Sequence, residues 1–411
     1  MTVIHPSNSL PNALNLNDEV LAAYYQPIIA LDTRRITGYE VLGRAVGKES
    51  VRSLGPFFGD ESIPMEEQLQ VDRIIREQAI ARLGQEKSPP LLFLNLKPSW
   101  IYRFGQLGEM YTLTLLKKYN VDPRRIVIEI TEESFDGSID VLLALVENYR
   151  SYGCQIAIDD VGSGFSSADR IAQIQPDLLK IDMHMVKRSA THNGYFGVLR
   201  SFSELAEQIG ASLLFEGVET TEDLERAIQS GARYVQGFLF AKAEPNLRDP
   251  YDFASIIDQE LMRHLKQYAM TERYWHNRAE GMAAKLQNIV NSSDSPNESD
   301  VWLRQLLPDL DESFMRIYIC NEEGIQVSSD YRNDAIEGWT SEEDFKQLNW
   351  SWRPYFVPNL VLLNEQRRSI VSRVYTDLDT REWIRTISVL VRKGFILFAD
   401  IKDSGKRARN R

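Results

Sequence analysis

Between residues 20 and 245 the chain moves between two rhythms of apolar and polar positions. Short, nearly continuous apolar runs appear as YYQPIIAL (24–31), RITGYEVLGRA (35–45), LLFLNL (91–96) and IVIEIT (126–131). They continue as QIAIDDV (155–161), LLKID (178–182), SLLFEGV (212–218) and YVQGFLF (234–240). Most gaps carry apolar residues at helical spacing, as in VDRIIREQAIARL and SIDVLLALVENYR. Strands apolar on both faces, alternating with helices, predict a mostly parallel sheet covered on both sides. Eight runs in roughly 220 residues fit a (β/α)8 TIM-like barrel better than an open sheet.

The pattern then changes. Residues 252–290 hold no proline and a single glycine, Gly281, which predicts one helix about 58 Å long at ~1.5 Å per residue. Leu265/Tyr268, Glu272/Trp275, Ala279/Met282 and Leu286/Ile289 form a heptad seam. Such a seam serves a coiled coil or packing against the chain's own domains, and Glu272 weakens the first option. NSSDSPNESD (291–300) is a loop by composition. Beyond it, RIYICNEEGIQVSSDY reads as two strands around a turn, followed by SIVSRVYTD, EWIRTISVLV and GFILFADI. The expected organisation is a barrel over 1–250, a connecting helix over 251–292, a small α+β domain over 301–402 and a basic tail over 403–411.

Composition narrows the classes. With 43% hydrophobic and 26% charged residues in 411, the chain is globular, in two or three domains. Its apolar runs are too short to span a bilayer, and its start lacks a signal-peptide pattern, so a cytoplasmic location is expected. Cys154 and Cys320 suggest no disulfide framework. The net charge of −12 makes bulk nucleic acid a poor partner. The five histidines show no ligand spacing, so a His/Cys zinc site is not expected.

Candidate chemistry lies at the ends of the runs. Glu40, Asn95, Glu129, Asp159 with Asp160, Lys180, Glu216 and Gln236 occupy seven of the eight. A barrel gathers the C-terminal ends of its strands into one bowl. There, five carboxylates against one ammonium leave a formal charge of −4, which two divalent cations would neutralise. At 4 Å one like-charge pair repels by roughly 4 kcal/mol at an effective dielectric near 20. Carboxylate and amide oxygens without thiolate or imidazole select hard ions such as Mg²⁺, Mn²⁺ or Ca²⁺. Two such ions suit in-line phosphodiester hydrolysis. Lys180 could orient the attacking water or stabilise developing charge; an ordinary buried ion pair is the other reading. The turn Val161–Ser167 after the Asp pair reads as a flap over the metals.

These motifs resemble the EAL-domain cyclic di-GMP phosphodiesterases. The signature appears as QPI (26–28), EVLGR (40–44), FLNL (93–96), EITEES (129–134), DDVGSGFSS (159–167), KID (180–182), FEGVET (215–220) and QGFLF (236–240). The resemblance implies hydrolysis of cyclic di-GMP to linear pGpG with two divalent cations, Mg²⁺ or Mn²⁺. It implies metal ligation by Glu40, Asn95, Glu129, Asp159 and Asp160, with Glu216 as a ligand or general base. Lys180 would hold the nucleophilic water. Gln26, Leu42, Arg44, Asp182, Glu219 and Gln236 would contact the substrate, Arg44 through phosphate, and Glu132 would anchor the flap. It also implies one reversed barrel strand and a homodimer. Val41, Gly43, Val161, Ala241 and Ala243 depart from the family pattern, and none removes a ligand.

The remaining chain is similar to the C-terminal domain of YkuI-type proteins, which implies a PAS-like or Cache-like sensor. Trp352, Arg353, Tyr355, Tyr375 and Arg385 are candidates to line a small-ligand pocket; each is equally a candidate for plain core. A module that binds cyclic di-GMP without turnover stands as the alternative to the enzyme.

Overall fold

The computed structural model describes residues 19–97, 100, 106–130, 139–162, 168–189, 192–292, 299–334, 336–353, 355–365 and 369–403. They form two compact units that divide at Leu265/Lys266.

All eight predicted runs in the first unit are strands. They are β1 (Val20–Ala30), β2 (Arg35–Val46), β4 (Leu91–Leu96), β5 (Ile126–Ile130), β6 (Gln155–Val161), β7 (Leu178–Asp182), β8 (Ser212–Glu216) and β9 (Tyr234–Val235), with a short β3 (Val51–Ser53) hairpinned onto β2. The order β1-β9-β8-β7-β6-β5-β4-β2 returns to β1, so the barrel closes. Neighbours from β2 round to β9 are parallel. β1 is antiparallel to both β2 and β9, the one reversed strand that the family resemblance implied and that strand composition alone did not show. The cause is local. Only Leu31, Asp32, Thr33 and Arg34 link β1 to β2, whereas a parallel crossover needs a dozen or more residues.

Successive side chains of each strand face opposite sides. The outward set, including Leu21, Tyr25, Val41 and Ile156, packs with Val71, Ile80 and Leu145 of the surrounding helices. The inward set, Ile28, Phe93, Val127, Ala157, Leu178 and Leu214, fills the barrel. β2 contributes Gly38 to this layer. A Cβ there would stand 2.8 Å from the Phe93 ring and 2.9 Å from the Leu91 carbonyl oxygen, so the large ring opposite requires glycine.

The predicted long helix spans Ala254–Ser292. Within the first unit its Ile257 joins the outer core, and Arg263 pairs with Glu225 at 3.1 Å. Within the second, Trp275, Ala279, Met282 and Leu286 are buried. The later half of the heptad seam therefore packs into its own domain, while Leu265 and Tyr268 are 59% and 58% exposed.

The second unit is an antiparallel sheet of order β12-β11-β10-β16-β15-β13, with β14 on β15. Its strands are β10 (Phe314–Asn321), β11 (Asp330–Asp334), β12 (Gly338–Glu342), β13 (Ser369–Val371), β14 (Tyr375–Thr376), β15 (Trp383–Arg392) and β16 (Phe395–Lys402). The expected turn after β10 closes with Gly324 at φ 84°, and the Gly324 amide donates to the Asn321 carbonyl. One sheet face, with Ile317, Ile387, Val389 and Leu397, packs on the long helix and on Trp302 and Leu303 of the Ser299–Leu306 helix. The other, with Tyr318, Cys320, Ile396 and Phe398, packs on the Phe356–Glu365 helix. This parity divides the proposed pocket residues. Tyr355 and Tyr375 meet at a 6.0 Å centroid distance, and Tyr375 hydrogen-bonds Thr386. Arg385 is one residue from Thr386, so it faces the long helix instead, over the Trp275 ring and paired with Asp403.

Among the described residues no helix is long and apolar enough to cross a membrane. Cys154 and Cys320 are buried free thiols.

Candidate metal centre

The bowl is the next layer of the same alternation. Two residues beyond each inward apolar side chain stands a polar one. Phe93 leads to Asn95, Val127 to Glu129, Ala157 to Asp159, Leu178 to Lys180, Leu214 to Glu216 and Tyr234 to Gln236. On β2, Gly38 leads to Glu40. On the reversed β1 the count runs backwards, from Ile28 to Gln26, which sits opposite Glu40 in register. The one predicted run without an acid, amide or lysine at its end is thus the strand that points the other way.

Lys180 is fully buried at the centre. Its Nζ lies 2.7 Å from Glu129 Oε1, 2.8 Å from Glu216 Oε1, 3.0 Å from Asp159 Oδ1 and 3.9 Å from Glu40 Oε1. Burial opposes its charge, but the surrounding carboxylates outweigh it, so the ammonium holds its proton well above the ordinary lysine range. Burial likewise drives the Glu129 carboxyl well above the carboxylate range, and Lys180 only partly offsets this. The Glu216 and Asp160 carboxyls are raised for the same reason. Asn95 Nδ2 donates to Glu40 Oε1 at 3.1 Å and Gln236 Nε2 to Glu40 Oε2 at 2.7 Å. These two bonds fix the Glu40 carboxylate from both sides.

Asp159 and Asp160 are adjacent, and regular strand geometry would separate them. The chain solves this with Asp160 at φ 57°, a left-handed conformation that costs a non-glycine residue about 1–3 kcal/mol. The β6–β7 register breaks there, and the Asp160 amide donates to Asp159 Oδ1 at 2.9 Å. One carboxylate oxygen from each of Asp159, Asp160 and Glu216 then lies within 4.8 Å of the others.

The residues fit divalent cations. Glu129 Oε1 has the Lys180 ammonium beside it, but Glu129 Oε2 and Gln236 Oε1 are buried without a hydrogen bond among the described residues, a costly state unless another group fills the gap. The donor set is oxygen throughout, as hard ions require.

The other predicted residues line or flank the mouth. Gln26 Nε2 donates to the Ala241 carbonyl at 3.2 Å. Leu42 and Arg44 are half-buried on the same side of β2 as Glu40. Asp182 Oδ1 accepts from the His184 amide at 2.5 Å at the start of the Met183–Ser189 helix. Glu219 is exposed, 3.7 Å from Lys187 Nζ, and its amide donates to the buried Asp223. Glu132 and flap residues 163–167 lie outside the described residues.

Sequence reading missed Asp72 and Arg76. Arg76 is 5% exposed, pairs with Asp72 at 3.0 Å and donates to the Asn95 carbonyl at 2.8 Å. It thereby ties the Met65–Leu83 helix to the end of β4. The only signal was an acid and a base four apart on a helix, which is common on solvated faces.

The EAL domain model matches residues 7–243, and the model described as an EAL-domain associated signalling protein domain, YkuI_C, matches residues 251–404. The uncharacterized EAL-domain containing protein YkuI of Bacillus subtilis is 36% identical over 93% of this chain and 94% of its own length. The cyclic di-GMP phosphodiesterase RocR of Pseudomonas aeruginosa is 32% identical over 56% of this chain and 59% of its own. The crystal structure of B. subtilis YkuI in complex with substrate c-di-GMP and calcium superposes with a TM-score of 0.85 at 33% identity, covering 95% of this chain and 98% of that one.

Proposed function

The chain belongs to the EAL domain family, and from that premise we propose that it is a metal-dependent phosphodiesterase hydrolysing cyclic di-GMP to linear pGpG. The observation that carries this reading is the buried Lys180 ammonium among Glu129, Asp159 and Glu216 within 3.0 Å, with Glu40 beyond, a surplus of negative charge at a barrel mouth. The bound c-di-GMP and calcium named for the YkuI crystal structure support both the substrate and the ion class.

Glu40, Asn95, Glu129, Asp159, Asp160 and Glu216 would hold two divalent cations, Mg²⁺ or Mn²⁺. When bound, these supply Lewis-acid polarisation of the scissile phosphate and a lowered pKa for the attacking water. The chain's own groups do the rest. Glu40 is fixed by Asn95 and Gln236, so its oxygens need no reorganisation before substrate arrives. Lys180 remains an ammonium and therefore acts as a donor, orienting the water and countering charge on the phosphate. Glu216 borders the same space and accepts the water's proton. The water oxygen joins phosphorus, one P–O bond of the ring breaks, and the leaving ribose oxygen takes a proton from solvent. Arg44, Gln26 and Leu42 grip the dinucleotide from β1 and β2, with Asp182 and Glu219 on the opposite rim. Residues 301–402 act as the regulatory domain, with the long helix as the link.

The test is incubation of purified full-length chain with cyclic di-GMP and Mn²⁺ or Mg²⁺, followed by nucleotide analysis. Linear pGpG is the expected product. Tight binding in Ca²⁺ with no turnover in either ion would replace the enzyme with a binding module.

A further inference from the structure

The alternation that builds the bowl continues above it, and on β1 its next member is an aromatic ring. From Leu21 to Gln26, β1 alternates three buried with three half-buried residues. Leu21, Ala23 and Tyr25 belong to the outer core. Tyr24 lies on the other side, in line with Gln26 and Ile28, and Ile28 is in the barrel interior. β1 is reversed, so the step from Ile28 through Gln26 to Tyr24 climbs out of the barrel. At ~3.4 Å per residue, Tyr24 stands about 7 Å above the Gln26 level.

Its surroundings suit a platform. In register Tyr24 faces Leu42, and Gln26 faces Glu40. The Arg44 guanidinium stands over the Tyr24 ring, 5.9 Å from its centroid. That guanidinium is anchored by its own bond to the Gly43 carbonyl at 2.9 Å. The adjacent Tyr25 shows what a structural tyrosine on this strand looks like. It is 4% exposed and meets the Tyr39 ring edge-on at 6.4 Å, with its phenol pushed up to about 12 by burial. Among the described residues Tyr24 belongs to neither core cluster of the barrel, and the Arg44 guanidinium is what meets its ring. A half-buried ring braced by a cation, one step above oxygen ligands, matches the offset between a phosphate and the base on its sugar. Stacking on aromatic faces is how proteins hold unpaired bases, and arginine planes add to it.

We propose that Tyr24, braced by Arg44, is the stacking platform for one purine base of the dinucleotide. The inference rests on the phosphodiesterase reading and adds a base-binding residue to it. Tyr24 touches no reacting atom, so its contribution is the same in ground and transition states. Its loss should raise KM and leave kcat nearly unchanged.

The test compares Tyr24→Ala, Tyr24→Leu, Tyr24→Phe and Tyr24→Trp in the full-length chain, each checked for native circular dichroism. Affinity for cyclic di-GMP in Ca²⁺ and steady-state kinetics in Mn²⁺ are both measured. Tyr24→Ala and Tyr24→Leu should weaken affinity about tenfold with kcat within twofold, while Tyr24→Phe and Tyr24→Trp restore it. The added emission of Tyr24→Trp over the parent should be quenched on binding. Unchanged affinity in Tyr24→Ala, or full rescue by the equally apolar leucine, overturns the platform while wild-type binding leaves the phosphodiesterase reading standing. Absence of cyclic di-GMP binding by the wild type removes both.

Discussion

The two units each set a cation among buried carboxylates, and they use it in opposite ways. In the second unit Arg316 meets Asp400 at 2.6 Å, Asp377 at 2.9 Å and Asp379 at 3.1 Å. Both oxygens of the buried Asp400 and Asp377 are taken. Thr386 donates to Asp400 Oδ1, and the Thr380 hydroxyl and the Thr380 and Asp379 amides donate to Asp377 Oδ2. In the barrel, Glu129 Oε2 and Gln236 Oε1 have no hydrogen bond among the described residues. A saturated cluster is a staple; an unsaturated one at a strand-end bowl is a place for something to bind. Acid count alone would not have separated them.

The sharpest way to break this contrast is Glu40→Ala. It removes the carboxylate that Asn95 and Gln236 hold, and turnover of cyclic di-GMP should fall more than a thousandfold; unchanged turnover in purified protein would reject the metal role. Lys180→Ala should lower kcat about a hundredfold or more with a smaller loss of nucleotide affinity. Equal losses in both would return Lys180 to the class of ordinary ion pairs. Arg316→Met tests the other side. Leaving Asp400 and Asp377 buried without their cation should cost about 3–5 kcal/mol in denaturant unfolding of the second unit, with Mn²⁺ affinity of the barrel unchanged. If Mn²⁺ affinity falls instead, the two clusters are not independent.

The mildest effect is a pH dependence of the barrel. Glu129 has its folded pKa raised, so between the unfolded value near 4.3 and the folded one the native state binds the extra proton. Stability of the metal-free protein should therefore fall as pH rises through that window. Thermal melts in chelator should show the decline, and added Mn²⁺ should flatten it. A decline that survives saturating Mn²⁺ would place its origin outside the bowl.

Much of this was legible in the chain. The eight strands and the converging polar ends follow from runs and their last residues, because a closed barrel leaves few alternatives for where those ends go. The reversed β1 was legible too, in the family resemblance and in the four-residue link Leu31–Arg34, although strand composition alone drew the reading toward parallel pairing. What could not be read was geometry created by contact. The left-handed Asp160 that turns two neighbouring acids into one site carries no local signature. Arg76 could be seen as a helix residue but not as the support of the Asn95 carbonyl. Arg385 could be placed on a strand, yet only the register of β15 told which face it takes.

The direction of β1 has a practical outcome. Its leading end enters at the mouth that holds the carboxylate bowl rather than at the opposite end of the barrel. A fluorophore fixed to Val20, which is 55% exposed, would ride on that rim and report nucleotide arrival directly. A bulky fusion joined immediately ahead of it would crowd the doorway and mimic inhibition.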